Sequence, residues 1–126
     1  MAMKYLCFGY FDPERMDACP PEQVDQAMRQ CQPHLEELYG SGQVILDAGM
    51  AREIHSLRRV GDTVQVAEGP FAPGSARIGS AFLIEADDID HAVRIAMLHP
   101  TTRLDAGEAW GWGIEIRPLH YFELDG

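Results

Sequence analysis

The order of apolar and polar positions predicts a strand followed by a long helix at the start of the chain. Residues 3–10 alternate as in a strand, and both strand faces are largely apolar, which favours a central position in a sheet. Residues 22–40 carry an apolar stripe at helical spacing. Pro33 lies inside this pattern, so we expect it to kink the helix or split it, and its position opposite the stripe places a kink on the solvent side. The stripe consists of Val24, Met28, Cys31, Leu35 and Leu38.

A second strand and a hairpin are predicted next. Residues 44–49 are apolar enough for a strand, and Gly40-Ser41-Gly42 ends the preceding helix. Residues 55–60 and 63–67 flank Gly61-Asp62, a dipeptide typical of two-residue hairpin turns. The chain therefore carries a hairpin after its second strand.

The last part of the chain repeats the strand–helix–strand order. Residues 78–86 predict a strong strand, and residues 88–98 predict a helix that Asp87 can cap and Pro100 ends. Residues 113–119 alternate as a final strand. The segments that remain are predicted as loops, namely residues 12–21, residues 68–77 and the stretch containing Trp110 and Trp112.

This order predicts one α+β domain over residues 1–126, a ferredoxin-like two-layer sandwich with an inserted β-hairpin. A sandwich of one sheet and one helical layer leaves a sheet face open. Val66, Phe82 and Ile84 suggest apolar side chains on both faces of the sheet. Because a large apolar surface is rare on a stable monomer, we expect a homodimer.

Composition narrows the classes of function. The chain has 20 Asp and Glu against 10 Lys and Arg, with a net charge of −10, which argues against nucleic acids and anionic membranes as partners. Its first residues lack the features of a signal peptide, and no apolar run is long enough to span a membrane. The cysteines Cys7, Cys19 and Cys31 form neither a CxxC pair nor an even set, which indicates reduced thiols in the cytoplasm without a disulfide.

Two positions could supply acid–base chemistry. His34 falls about 60° from the middle of the apolar stripe, so its imidazole could reach a cleft and titrate near neutral pH, or simply lie at a solvated helix edge. Glu68 precedes Gly69-Pro70, a rigid corner that could aim this carboxylate and the ring of Phe71 into a pocket. The same corner could equally turn the chain and bury Phe71 in the core.

Further candidates would bind rather than react. Ser80 lacks a nucleophile-elbow motif, so its hydroxyl would line a pocket. Arg117 could bind a substrate carboxylate, or face outward and pair with a surface acid. Trp110 and Trp112 could cover a pocket or a dimer surface, or serve in packing. The histidines show no metal-ligand spacing, so we expect neither a metal nor another cofactor.

Three segments resemble the DGPF family. The signature loop of this family is similar to Val66-Ala67-Glu68-Gly69-Pro70-Phe71-Ala72. Its strand-then-helix block is similar to residues 79–93, and its closing strand is similar to residues 113–119. The family belongs with the YCII-like proteins, so the resemblance implies a ferredoxin-like fold and pairing as a dimeric α+β barrel.

The resemblance also implies a catalytic histidine. YCII-like members carry a histidine before a leucine in the first helix, which matches His34-Leu35 here. This histidine has been proposed to form an acid–base dyad with an aspartate. Two positions depart from the pattern, because Glu68 replaces the aspartate before Gly-Pro-Phe and His99 replaces the aspartate before Pro100.

The first functional hypothesis is a cofactor-free enzyme that eliminates or isomerises a small ring or carbonyl compound. His34 would move a proton with Glu68 as its partner, while the site for the small molecule would include Phe71, Ser80 and Arg117. The alternative is a non-catalytic module, a homodimer that binds a small ligand or regulates another process.

Overall fold

The structure, a computed structural model, describes residues 2–124 of the chain. Helices and strands follow the predicted order, with two additional short helices and one turn of 3₁₀ helix. The strands are β1 (Met3–Phe11), β2 (Val44–Gly49), β3 (His55–Val60), β4 (Thr63–Glu68), β5 (Arg77–Ala86) and β6 (Gly113–Pro118). The helices are α1 (Pro13–Asp17), α2 (Pro21–Gly40), α3 (Ile89–Ala96) and α4 (Asp105–Ala109), with the 3₁₀ turn at Pro100–Thr102.

Four strands form the main sheet in the order β2-β5-β1-β6, and all neighbours run antiparallel. This order is that of a ferredoxin-like sheet, which confirms the predicted α+β class and the central position of β1. Strands β3 and β4 pair only with each other, as the inserted hairpin. Gly61 adopts a positive φ of 61° in the hairpin turn, a backbone region that glycine enters without steric penalty.

One face of the sheet carries the core. Tyr5 and Cys7 of β1 lie opposite Ile84 and Phe82 of β5, and all four side chains are buried. Helices α2 and α3 cover this face, and their apolar stripes supply the second layer. The core cluster contains Tyr5, Cys7, Leu38, Phe82, Ile84, Ala86, Ala92, Ile95 and Ala96. Burial of these side chains is the main source of stability for the two layers.

The centre of the other sheet face is also apolar, but through different residues than predicted. Phe82 and Ile84 lie two positions apart on β5 and share the core face, since side chains alternate along a strand. Val66 belongs to the hairpin sheet and is 68% exposed. The second face instead carries partly buried Leu6 and Phe8 of β1.

Two of the three regions predicted as loops contain short helices, α1 and α4, and a side chain caps the first of them. Asp12 caps α1 by accepting the backbone N–H of Glu14 at 3.0 Å, and Pro13 occupies the first helical position. The backbone N–H of Asp12 donates to the Trp110 carbonyl at 2.9 Å, which ties α1 to the end of α4. Trp110 is buried in a second cluster with Met16 and Ala27.

The structure decides two predicted details of the long helices. Helix α2 continues without interruption through Pro33, so of the two predicted outcomes the split is wrong. Helix α3 is capped by Asp88 and not by Asp87. No helix within residues 2–124 is both long and apolar enough to cross a membrane.

The cap of α3 can be tested by comparing the two adjacent aspartates. Asp88 Oδ1 accepts the backbone N–H of His91 at 2.8 Å, so Asp88→Ala leaves that donor without its partner. We expect the free energy of unfolding to fall by about 1 kcal/mol in Asp88→Ala. Asp87→Ala is the matched control and should change it by less than about 0.5 kcal/mol, because the Asp87 side chain is 81% exposed and does not cap the helix. Chemical denaturation measures both, and a larger loss in Asp87→Ala would contradict the assignment.

Candidate functional site

A cavity of about 480 Å³ lies on the helical side of the sheet, beside α2. This volume suits a small organic molecule. Its walls are mostly apolar and include Phe11, Met16, Met28, Cys31, Leu35 and Trp112. Its polar and charged side chains are Tyr10, Asp47, Arg52, Ser80, His99 and Thr101. A few polar groups in an apolar cavity are typical of sites that bind and orient a ligand.

The floor of the cavity requires glycine beside Ser80. Gly9 of β1 and Gly49 of β2 are the cross-strand partners of Ser80 on β5. A Cβ at Gly9 would lie 2.3 Å from Ser80 Oγ, so no larger residue fits there without a shift. Ser80 Oγ has no hydrogen-bond partner among residues 2–124 and remains able to bind a ligand.

His99 follows α3 and is held between the sheet and the 3₁₀ turn. Its ring stacks on Phe82, with centroids 4.8 Å apart and planes 3° from parallel, and the residue is 6% exposed. The backbone N–H of Thr101 donates to Nδ1 at 3.2 Å, and Thr101 Oγ1 lies 2.9 Å from the same atom. The imidazole therefore caps the turn and has a fixed orientation.

These contacts assign the tautomer of His99. A backbone N–H can only donate, so Nδ1 must present its lone pair to Thr101. The proton of the neutral ring is therefore on Nε2. Nε2 has no hydrogen-bond partner in the described chain. Every fully buried side-chain nitrogen or oxygen of that part of the chain does have one, so Nε2 cannot be fully buried. Nε2 is thus accessible to solvent, and because His99 lines the cavity, its N–H is available there as a donor.

His99 is neutral at pH 7. Burial lowers its pKa below the ordinary value of 6.5, because the imidazolium loses hydration, and the charge of Asp47 opposes part of this shift. The Thr101 N–H acts in the same direction as burial, since protonation of Nδ1 would break that hydrogen bond.

Asp47 brings a carboxylate to the same cavity from the edge strand β2. It lies opposite Phe82 in the register, so it flanks the aromatic ring on which His99 stacks. The hydroxyl of Tyr39, at the end of α2, donates to Asp47 Oδ2. This hydrogen bond is the main reason that the pKa of Tyr39 rises to about 12, so the phenol keeps its proton. Oδ1 has no protein partner within residues 2–124.

Of the predicted catalytic and binding residues His34, Glu68, Phe71, Ser80 and Arg117, the structure places only Ser80 in this cavity within residues 2–124. His34 is half-buried on α2 and lies outside the cavity lining, although its neighbour Leu35 contributes to it. Glu68 is exposed at the end of β4 and borders a separate, smaller depression with His55. No hydrogen bond or ion pair within 4.0 Å joins His34 to Glu68 in the described chain, so their pairing stays a prediction.

The other two predicted binding residues lie on the surface. Phe71 is 61% exposed, and the Arg58 guanidinium lies 4.6 Å above its ring centroid. Arg117 is exposed and its guanidinium lies 3.6 Å from the Glu115 carboxylate. This corresponds to the surface-pair alternative for Arg117.

Sequence reasoning missed the two main polar residues of the cavity. The sequence singles out His99 only as the replacement of an expected aspartate before Pro100. Asp47 interrupts the apolar strand at residues 44–49, and a charged residue at an inward-facing position of such a strand was a signal that could have been followed. Trp112 lines the cavity, whereas Trp110 is buried and donates its indole N–H to Cys19 Sγ at 3.2 Å.

The thiol near the cavity is not an activated nucleophile. Cys31 lines the cavity, but burial raises its pKa, so it stays protonated and weakly nucleophilic. Within residues 2–124 no group of three or more His, Cys, Asp or Glu side chains is placed to hold a metal ion.

The fold is that of an α+β protein of the ferredoxin-like class. Two helices cover the antiparallel β2-β5-β1-β6 sheet, a hairpin is inserted, and the cavity lies on the helical side. The profile of the YCII-related domain matches residues 3–110, which is most of the chain. The chain therefore belongs to the YCII-related family, as the sequence resemblance indicated. A comparison with curated proteins found no match.

The state of His99 predicts how stability depends on pH. In the unfolded chain the imidazole takes up a proton as the pH falls below about 6.5, whereas buried His99 resists it until a lower pH. The free energy of unfolding should therefore decrease on acidification through this window, by up to about 1.4 kcal/mol per pH unit for one proton.

The variant His99→Asn isolates this contribution. Asparagine can still accept the Thr101 N–H as a cap but does not titrate. Its unfolding free energy should depend less on pH below about 6.5 than that of the wild type, as measured by denaturation at several pH values. His120→Asn, at an exposed position, is the control and should keep the wild-type profile. Equal slopes in all three proteins would contradict the assignment of His99.

Proposed function

We propose that this protein catalyses cofactor-free proton transfer on a small carbonyl compound, leading to isomerisation or elimination. The observation that carries this proposal is the arrangement of one cavity: a neutral buried imidazole with an available N–H, and a carboxylate with an unoccupied oxygen. Such a pair supplies a hydrogen-bond donor and a proton acceptor without needing another group.

The roles follow from the hydrogen bonds already made. His99 cannot readily accept a proton, because Nδ1 is held by Thr101 and Nε2 already carries its hydrogen. A neutral imidazole N–H can instead polarise a carbonyl oxygen. Asp47 Oδ1 is left to remove a proton from the carbon next to that carbonyl, while Tyr39 holds Oδ2. Ser80 Oγ can orient the substrate from the floor of the cavity.

The reaction needs no oxidant or reductant. Asp47 takes the proton, the C–H electron pair forms a carbon–carbon double bond, and the carbonyl oxygen becomes an enolate oxygen that accepts the His99 N–H. In isomerisation, Asp47 returns the proton to a different carbon. In elimination, a leaving group departs from the neighbouring carbon with its electron pair. The apolar walls reduce solvation of the developing charge and strengthen the hydrogen bond from His99.

Deuterium exchange tests the proton transfer before a physiological substrate is identified. The protein is incubated in D₂O with a panel of small cyclic ketones, lactones and oxo acids, and loss of the α-proton signal is followed by NMR. Asp47→Asn should reduce the exchange rate about 10²–10⁴-fold, because the amide cannot accept the proton. His99→Asn should reduce it about 10²–10³-fold through loss of the oxyanion donor.

His34→Ala distinguishes this arrangement from the dyad that the sequence suggested. It should leave the exchange rate unchanged, because His34 does not line the cavity. If His34→Ala or Glu68→Gln abolished exchange while Asp47→Asn did not, the dyad of His34 and Glu68 would replace our assignment. Binding of panel members without any exchange would favour the alternative, a non-catalytic ligand-binding module.

We also propose that the protein acts as a homodimer. The hairpin exposes apolar side chains on paired positions, with Leu57 opposite Val66 and exposed fractions of 60% and 68%. Together with the apolar second face of the main sheet, this surface favours a protein partner over water. Light scattering at micromolar concentration should give about twice the chain mass of 14.0 kDa. A mass of one chain over the whole concentration range would contradict the dimer.

A further inference from the structure

Among the described residues that line the cavity, Arg52 is the only arginine or lysine. It lies in the loop between β2 and β3, and its guanidinium carbon is 5.4 Å from the centroid of the Phe11 ring. Arg52 Nη1 donates to Asp17 Oδ2 at 2.8 Å. The ring face and the carboxylate orient the guanidinium, although the side chain remains 52% exposed.

Most of the hydrogen-bonding capacity of Arg52 is unused. A guanidinium carries five N–H donors, and within residues 2–124 only Nη1 has an acceptor. Asp17 is itself 63% exposed, so this ion pair is a surface pair of small net stability. An incoming anion could use the remaining donors, or displace Asp17 at little cost.

The electrostatics of the cavity show why a cation there matters. Asp47 is the one Asp or Glu that lines the cavity within residues 2–124, and the chain carries a net charge of −10. An anionic molecule would be repelled from such a cavity unless a fixed positive charge compensated for it. Arg52 supplies that charge, and its planar fork of donors fits a carboxylate better than a point charge would.

We propose that the substrate is a small carboxylate, an oxo acid or a lactone acid, whose carboxylate group binds to Arg52 inside the cavity. The proton transfer from such a substrate rests on the proposed function, but the binding of its carboxylate to Arg52 does not. With the carboxylate at Arg52, the carbonyl oxygen is left for His99 and the acidic C–H for Asp47. Arg52 would therefore select the substrate and fix which end of it reaches the base.

A matched pair of probes tests this proposal by affinity alone. We would measure dissociation constants of 4-oxopentanoate and its methyl ester by NMR titration of the full chain, since the two differ mainly in charge. The wild type should bind the acid about tenfold more tightly than the ester, as expected for a charge-assisted hydrogen bond. In Arg52→Gln the two affinities should become equal. Asp17→Asn should tighten binding of the acid, because Arg52 loses its competing partner.

Two controls separate this inference from the proposed reaction. Arg59→Gln removes an exposed hairpin arginine that does not line the cavity, and it should retain the preference for the acid. Asp47→Asn should stop deuterium exchange yet keep or increase the preference, because it removes a negative charge from the cavity.

The outcomes distinguish the two proposals. If the wild type prefers the acid but shows no deuterium exchange, the Arg52 site is supported and the proposed reaction is contradicted. Equal affinity of the wild type for acid and ester, including no binding of either, would overturn the Arg52 proposal. A preference that persists in Arg52→Gln would overturn it as well.

Discussion

Strand β5 pairs with β1 on one side and with β2 on the other. The register of these two antiparallel pairs determines which side chains face the core and the cavity. It places Phe82 between Cys7 and Asp47, on the face that the helices cover. The ring of Phe82 then provides the flat apolar surface on which His99 stacks. It places Ser80 between Gly9 and Gly49, where the absence of side chains leaves room for a cavity. A shift of one residue in this register would turn all of these side chains to the opposite face.

The polar groups of the cavity are stabilised in different ways, and the differences give them different chemical roles. His99 is buried, so it avoids charge and keeps one N–H free. Asp47 is exposed on the edge strand, where Oδ2 accepts the Tyr39 hydroxyl and Oδ1 is left without a partner among residues 2–124. Arg52 lies in an exposed loop and is held only by a surface ion pair and an aromatic ring. Donor, base and anion receptor therefore come from three separate segments, each with its own exposure.

The same geometry explains why the histidine in the long helix is not part of this arrangement. Helix α2 directs Cys31 and Leu35 into the cavity, whereas His34, about 100° from Leu35 and about 60° from Cys31 around the helix, lies outside the cavity lining. The hairpin that carries Glu68 forms its own sheet and does not pair with the main one. His34 and Glu68 therefore belong to two separate structural elements, and neither residue lines this cavity.

The sequence by itself determined the α+β class, the order of the strands and helices, and the hairpin turn at Gly61-Asp62. These depend on short-range patterns such as the stripe from Val24 to Leu38, so one chain segment contains the necessary information. The sequence also indicated Ser80 as a pocket residue. Only the tertiary structure decided that Asp47, Arg52 and His99 line one cavity, because residues from distant segments meet there through strand register. It also decided the tautomer of His99, since a single hydrogen bond from the backbone of Thr101 fixes which nitrogen carries the proton.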